Sequence, residues 1–464
     1  MWQFEQSPRI DLPDVTHCVA QINQHTEFFH PDIPVVVGRA PGHIPIMGSP
    51  HGSQSICWTL ATATFVAAQP DSEPKLTIWN LRFNETEAAP HLVWPIETIM
   101  PSEAALDYAD AHTLLAADTH QQWSACVAGV LVVLQRERGL HFAQGLRLLV
   151  ASDLPSQQRF GATAALIGAT MSAVCAVYDL PLDGSEMASL CHKVEREVVG
   201  NLGSIAGYVT AVCAEQDQLL SFDQQSAESP VSLPLSAELS LWGIDTGSSR
   251  TDDAVASVAA LMGYHIIAEL AHTTSEPTAI SWANVPPSAW LTHYREHLPP
   301  MLDGATFQLH YGDRINSMPP INMEQIYPVR QATEHLIYEQ HRAQLFRAIM
   351  QDTLHSVDSA RLLGELMHQS HISYRVCGGV ADEADRLVTL VRNAGEVVGL
   401  YSARVGDDNT VVVFGHRDAE EALSSLIEQY RQETEGSAQL LTGSSPGAMA
   451  LGVFWLLHDT SVSL

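Results

Sequence analysis

Val35-Val36-Val37-Gly38-Arg39-Ala40-Pro41-Gly42-His43-Ile44-Pro45-Ile46-Met47-Gly48 is the stretch on which the reading of this chain turns. Its β-branched run predicts a strand over Val35–Arg39. In the Ala-Pro-Gly that follows, proline fixes φ and glycine permits a tight turn. The stretch therefore reads as strand, turn and delivery of His43 and its successors to the floor of a cleft.

The chain has 464 residues, enough for two domains or one large bilobal unit that needs no disulfides. A hydrophobic share of 46 % and a mean hydropathy of +0.01 describe a soluble, globular protein. Met1-Trp2-Gln3-Phe4-Glu5 carries no basic segment leading into an apolar core, and the longest apolar stretch, Ala164 to Leu180, is interrupted by Thr, Ser and Asp. These features point to the cytoplasm. The seven scattered cysteines contain no Cys-x-x-Cys pair and read as reduced core thiols. A net charge of −30 with two lysines, Lys75 and Lys193, argues against a nucleic-acid or anionic-membrane partner. None of the 22 histidines forms His-Glu-x-x-His or a Cys/His cluster, so no metal site is expected.

Residues 1–33 read as an arm or short helix. Ile56 to Ala68 and Leu76 to Phe83 suggest strands of a mixed sheet. Trp123, Val127, Val130, Leu131 and Leu134 recur at helical spacing, and Gly139 ends that helix. Leu146–Ser152 predicts a strand, and Gly161–Val177, apolar on all sides, a buried helix. A further helix is expected from an N-cap at Ser185 to a stop at Gly200-Asn201. The Ser/Pro-rich run 221–235 looks like a seam, dividing the chain into domains 1–230 and 231–464. The second half predicts helices near 333–350, 358–370 and 418–434, and strands near 399–405, 410–415 and 449–457.

With the opening stretch, further segments resemble the sugar kinases of the galactokinase, homoserine, mevalonate and phosphomevalonate kinase (GHMP) superfamily. They are similar above all to galactokinase and plant L-arabinokinase. The segments are Gln121 to Phe142, Leu190-Cys191-His192-Lys193-Val194-Glu195 through Gly200, Trp242-Gly243-Ile244-Asp245, Tyr327-Pro328-Val329-Arg330 and Ile337-Tyr338-Glu339. Leu363 to Met367, Ser373-Tyr374, Cys377-Gly378, Asp385 to Val388 and Gly443-Ser444-Ser445-Pro446-Gly447-Ala448 continue the series in unbroken order. The resemblance implies an α+β, bilobal fold, with an N-terminal ribosomal-S5-like domain and a C-terminal ferredoxin-like α/β domain. ATP and sugar would meet between the two.

Against that pattern the chemistry is altered. The residue after Pro-Gly is an arginine in the family and is His43 here. The family's Gly/Ser-rich phosphate loop aims backbone N–H groups at the polyanion. It corresponds to Ser156-Gln157-Gln158-Arg159-Phe160-Gly161-Ala162-Thr163, with Gln157 and Arg159 at glycine positions and the magnesium-assisting serine missing. The catalytic aspartate falls on Gly207, followed by Tyr208, and no acid occurs between Glu197 and Glu215. The sugar-holding acids after Met47-Gly48 are replaced by Ser49-Pro50-His51-Gly52-Ser53, and the late glycine-rich turn is shortened to Gly406-Asp407-Asp408-Asn409.

Losing a general base costs ~10²–10⁴ in rate, and losing one positioned charge stabiliser ~10²–10³. The resemblance with these departures implies a pseudokinase that senses, partners or scaffolds and uses no cofactor. Its pocket, lined by His43, Ser49, His51, Gly52 and Tyr208, would collapse around Phe160 and Tyr208 or accept a sugar or other small neutral molecule. A protein partner is compatible with this reading. The alternative is an active sugar 1-kinase using ATP and Mg²⁺, with His43 as base or phosphate partner and Arg159 replacing backbone contacts.

Overall fold

The run 35–48 forms one uninterrupted strand, β2 (Val35–Gly48), so the expected turn at Ala40-Pro41-Gly42 is absent. The structure is a computed structural model. It describes residues 1–5, 12–49, 54–82, 90–102, 104–116, 122–141, 144–155, 159–201, 203–224, 229–247, 253–272, 285–311, 321–352, 357–406 and 409–459. Pro41 lies inside this strand, which the final strand of the chain joins at Val35, Val36 and Val37.

The first half continues from β1 (Trp2–Phe4) and α1 (Pro13–Gln24), past β2, to β3 (Gln54–Asp71), β4 (Lys75–Asn80) and β5 (His91–Pro95). Then come α2 (Ile96–Ile99), α3 (Tyr108–Leu115), α4 (Gln122–Arg138), β6 (Gly145–Ser152), α5 (Ala162–Val177), α6 (Gly184–Lys193), a π-helical turn Val194–Val199 and α7 (Ile205–Cys213). The second half comprises β7 (Gln218–Asp223), β8 (Val231–Pro234), β9 (Leu239–Asp245), α8 (Asp253–His272), α9 (Pro287–Ala289), β10 (Leu302–Asp303), α10 (Gly304–Tyr311) and β11 (Ile326–Tyr327). It closes with α11 (Val329–Gln351), α12 (Val357–Val376), α13 (Asp382–Ala394), β12 (Leu400–Val405), β13 (Val411–His416), α14 (Glu420–Thr434), β14 (Gln439–Leu441), α15 (Ala448–Leu451) and β15 (Phe454–His458).

These elements form two compact units that are not consecutive in sequence. Unit 1 holds Met1–His43, Trp58–Gln218 and Gly443–Leu464; unit 2 holds Ile44–Cys57 and Leu219–Thr442. The boundary read at 230/231 falls inside unit 2, and the run 221–235 contains β7 and β8 rather than a plain seam. Three other expectations shift. The arm 1–33 contributes β1, which pairs with β15 through Trp2↔His458. The segment 449–457 divides into α15 and β15. The cap of α6 is Asp183, whose carboxylate accepts from the Glu186 N–H, because an aspartate one turn ahead reaches the free amides that Ser185, already inside the helix, cannot.

Among the described residues the larger sheet follows the order β1-β15-β2-β3-β6-β4-β5, with β7 pairing β3 and β8 pairing β7. Alternation along β2 sends Val35 and Val37 to a cluster with Trp2, Ile22, Phe28, Phe65 and Leu456. Gly38 faces the other way, onto α5. A β-carbon there would lie 2.3 Å from the Ala169 carbonyl oxygen, so only glycine allows strand and helix this close. α4 is buried from Trp123 to Gln135, and its charged last turn, Arg136 to Arg138, is exposed. In unit 2, β12-β13-β9-β14 form an antiparallel sheet whose core joins Trp242, Ile244 and Val413 to Leu387 of α13 and Leu423 and Ile427 of α14. All seven cysteines are unpaired; Cys213 is half-buried and the others are buried.

Candidate functional site

His43 lies near the end of β2, buried at 9 % exposure. Its N–H donates to the Phe160 carbonyl oxygen at 2.8 Å, which fastens the segment before α5 to the strand. Gly42 permits that approach: a β-carbon at 42 would lie 2.4 Å from Leu154 Cδ2 and 2.8 Å from the Phe160 oxygen. The glycine read as a turn former is thus a close-approach residue. Phe160 and Gly161 both occupy the left-handed region, at φ 58° and 67°, and Phe160 is fully buried. A side-chain-bearing residue held there stores local strain.

Two glycines face the His43 ring. A β-carbon on Gly161, the N-cap of α5, would lie 2.1 Å from His43 Nδ1. One on Gly207, in the first turn of α7, would lie 2.9 Å from Nε2 and 3.1 Å from Cε1. His43, Gly161 and Gly207, picked from three separate segments, therefore form one constellation. Arg159 and Ala162 are buried beside it in sequence, and Thr163 is half-buried.

Tyr208 stands elsewhere. One residue further round α7 it is buried against Glu195 of the π-helical turn, with its hydroxyl toward that carboxylate. Burial, and then Glu195, push the phenol well above its ordinary value, and burial likewise raises the Glu195 carboxyl. Gly203 abuts the Glu195 side chain, while His192 Nε2 lies 2.9 Å from the Gly203 carbonyl oxygen. These contacts fix the approach to α7. Tyr208 belongs to this core and not to the His43 constellation. Ser49 is buried and belongs to unit 2. Ser156, Gln157, Gln158, His51, Gly52, Asp407 and Asp408 lie outside the described residues.

Around the late turn, the Gly406 N–H donates to the Thr410 oxygen at 2.8 Å and the Asn409 N–H to the Gly406 oxygen at 3.1 Å, closing the β12–β13 hairpin. Buried Asn409, at φ 58°, accepts from the Ala381 N–H at the start of α13 through its Oδ1. The closing motif 443–448 is structural too. Ser445 accepts from Arg39 Nη2 at 3.0 Å and donates to the Leu60 oxygen at 2.7 Å, and Gly447 packs on the Val212 carbonyl.

Unit 2 holds an ionic cluster that residue patterns did not single out. Glu339 of α11 accepts from the Gly48 N–H at 3.0 Å and lies 2.9 Å from Arg342 Nη2 and 3.2 Å from Arg404 Nη1. Arg404 also donates to the Ile46 oxygen at 2.7 Å. Burial alone would push the Glu339 carboxyl up, but Arg342 and Arg404 overcome it and bring it down to about 2. The available signal was an arginine between Ala403 and Val405 in an otherwise uncharged strand.

The profile described as the GHMP kinases N terminal domain matches residues 125–215, the span that carries α4 to α7 and both glycines facing His43. The L-arabinokinase of Arabidopsis thaliana is 28 % identical over 90 % of this chain, and the crystal structure of Lactococcus lactis galactokinase complexed with galactose superposes on 93 % of it with a TM-score of 0.71. Residues 125–215 thus carry the signature of a GHMP kinase N-terminal domain. The chain covers 99 % of that galactokinase at 15 % identity, a likeness of fold. A Haemophilus influenzae galactokinase is 26 % identical over 44 % of the chain. The chain spans about half the length of these curated relatives, 46 % of the arabinokinase and 49 % of the galactokinase. Among the described residues no helix is long and apolar enough to cross a membrane, and no three His, Cys, Asp or Glu residues are grouped to hold a metal ion.

Proposed function

We propose that this galactokinase- and L-arabinokinase-like protein has lost phosphoryl transfer to a sugar and acts as a pseudokinase, in a binding, partner or scaffold role. The observation that carries the reading is the position of His43, whose Nε2 lies 2.9 Å from where a β-carbon of residue 207 would stand. Position 207 has no side chain, and the histidine leaves no room for one.

The described residues do not fit a nucleotide in the family's manner. A phosphate needs the bare backbone at the start of α5, and the His43 ring already lies against Gly161 there. Phe160, next to it, is fully buried. Without an acid at 207, a sugar hydroxyl has no carboxylate to take its proton, a loss of ~10²–10⁴ in rate.

The test is twofold: calorimetry with MgATP, and a coupled ADP assay with galactose, L-arabinose or glucuronate. We expect no affinity tighter than millimolar and no sugar 1-phosphate. Micromolar MgATP binding, or turnover abolished by His43→Ala and Arg159→Ala, favours the rebuilt, active kinase.

A further inference from the structure

We propose that His43 and Gly207 are one coupled replacement: the His43 imidazole is what keeps position 207 bare, so a carboxylate can return to 207 only if residue 43 changes as well. The proposal deepens the non-transferring reading and rests on it for its functional consequence. Its physical part stands on geometry alone.

Both partners are held. The His43 main chain is tied to Phe160 by a 2.8 Å hydrogen bond, and Leu154 packs against Gly42 beside it. The ring cannot swing away from α7, because Nδ1 already lies where a β-carbon on Gly161 would be, 2.1 Å off, with the Gly161 backbone behind. α7 cannot retreat either. Ser204 caps it through the Ala206 N–H, the Tyr208 ring is buried against Glu195, and Gly447 packs on the carbonyl of Val212 at its far end. A β-carbon at 207 would thus meet a ring with no free direction to move. Glycine inside a helix is ordinarily inferior to alanine, so His43 is what makes glycine the better residue here.

A change of sign tests this. Gly207→Ala is expected to lower the melting temperature of the otherwise unchanged protein by about 1–3 °C, and to raise it by up to about 1 °C in a His43→Ala background. An effect of the same sign and size in both backgrounds overturns the proposal. Should His43→Ala fail to fold, His43→Asn, with its shorter side chain, carries the same comparison. The coupled ADP assay on the unaltered protein is read separately. Turnover there would end the non-transferring reading and the functional consequence drawn from it, whereas the melting temperatures decide the coupling itself.

Discussion

The carboxylate of Glu339 accepts the amide hydrogen of Gly48 at 3.0 Å, joining the middle of α11 to the end of β2 within unit 2. Glu339 is 1 % exposed, and Arg342 and Arg404 flank it at 7 % and 2 %. Removing one member of a buried ionic group leaves the others uncompensated, which costs ~3–5 kcal/mol. Glu339→Gln is expected to lose that much in urea unfolding, since its amide would turn a donor toward two arginines. An unchanged midpoint would mean that the arginines find other acceptors.

Gly48 supplies a second prediction. It sits at φ +95°, and a β-carbon there would lie 2.1 Å from the Gln54 oxygen. Gly139 is also left-handed, at φ +65°, but faces open space. Gly139→Ala should incur only the conformational cost, ~1–2 kcal/mol, and Gly48→Ala clearly more. Paired denaturation curves separate strain from collision, and equal losses would refute the clash.

In unit 1 the buried Arg39 guanidinium donates to Asp14 through Nε at 2.9 Å and Nη2 at 2.6 Å, and to Ser445 and the Ala61 oxygen. Ser445→Ala removes one uncharged partner and should cost ~1 kcal/mol. Arg39→Met strips Asp14 of its counter-charge and should cost several times more. A smaller effect for Arg39→Met than for Ser445→Ala would contradict this assignment.

Acid should weaken the fold in a defined window. Burial lowers His335 to about 3 and His371 to about 4, the latter despite the Asp385 carboxylate 3.0 Å away. Both imidazoles stay neutral in the folded protein, whereas in the unfolded chain they protonate near 6.5. Their contribution is complete above about pH 6.5 and is lost progressively as pH falls from there through about 4 and then 3. Melting temperatures between pH 8 and pH 4 should fall below 6.5, and His335→Gln should flatten the fall. A flat profile would show that these rings are not held neutral.

Much of the fold was legible locally. The valines of β2, the helical spacing of apolar residues in α4, the apolar α5 and the glycine that ends the turn before α7 announce themselves because strand alternation, helix burial and left-handed stops are properties of neighbouring residues. What misled was Pro41-Gly42. Read alone they make a turn, yet both lie inside β2, and Gly42 is small because Leu154 and the Phe160 carbonyl press on it. The site was half legible. His43, Gly161 and Gly207 could be picked out, each as a separate departure from a resemblance, while Tyr208, chosen beside them, points to a different core.

The amino-acid order by itself determined most of the elements that form, the surfaces they bury, and that positions 43 and 207 are histidine and glycine. Only the tertiary structure brings the His43 ring against Gly207. The tie from the His43 amide to Phe160 and the two bare glycine faces exist only once β2, the approach to α5 and the first turn of α7 are packed together. The same holds for Glu339 and Arg404, which become partners of Gly48 and Ile46 through long-range packing. Local pattern encodes the direction of a side chain from its own backbone; what stands in front of it is set by chain segments hundreds of residues away.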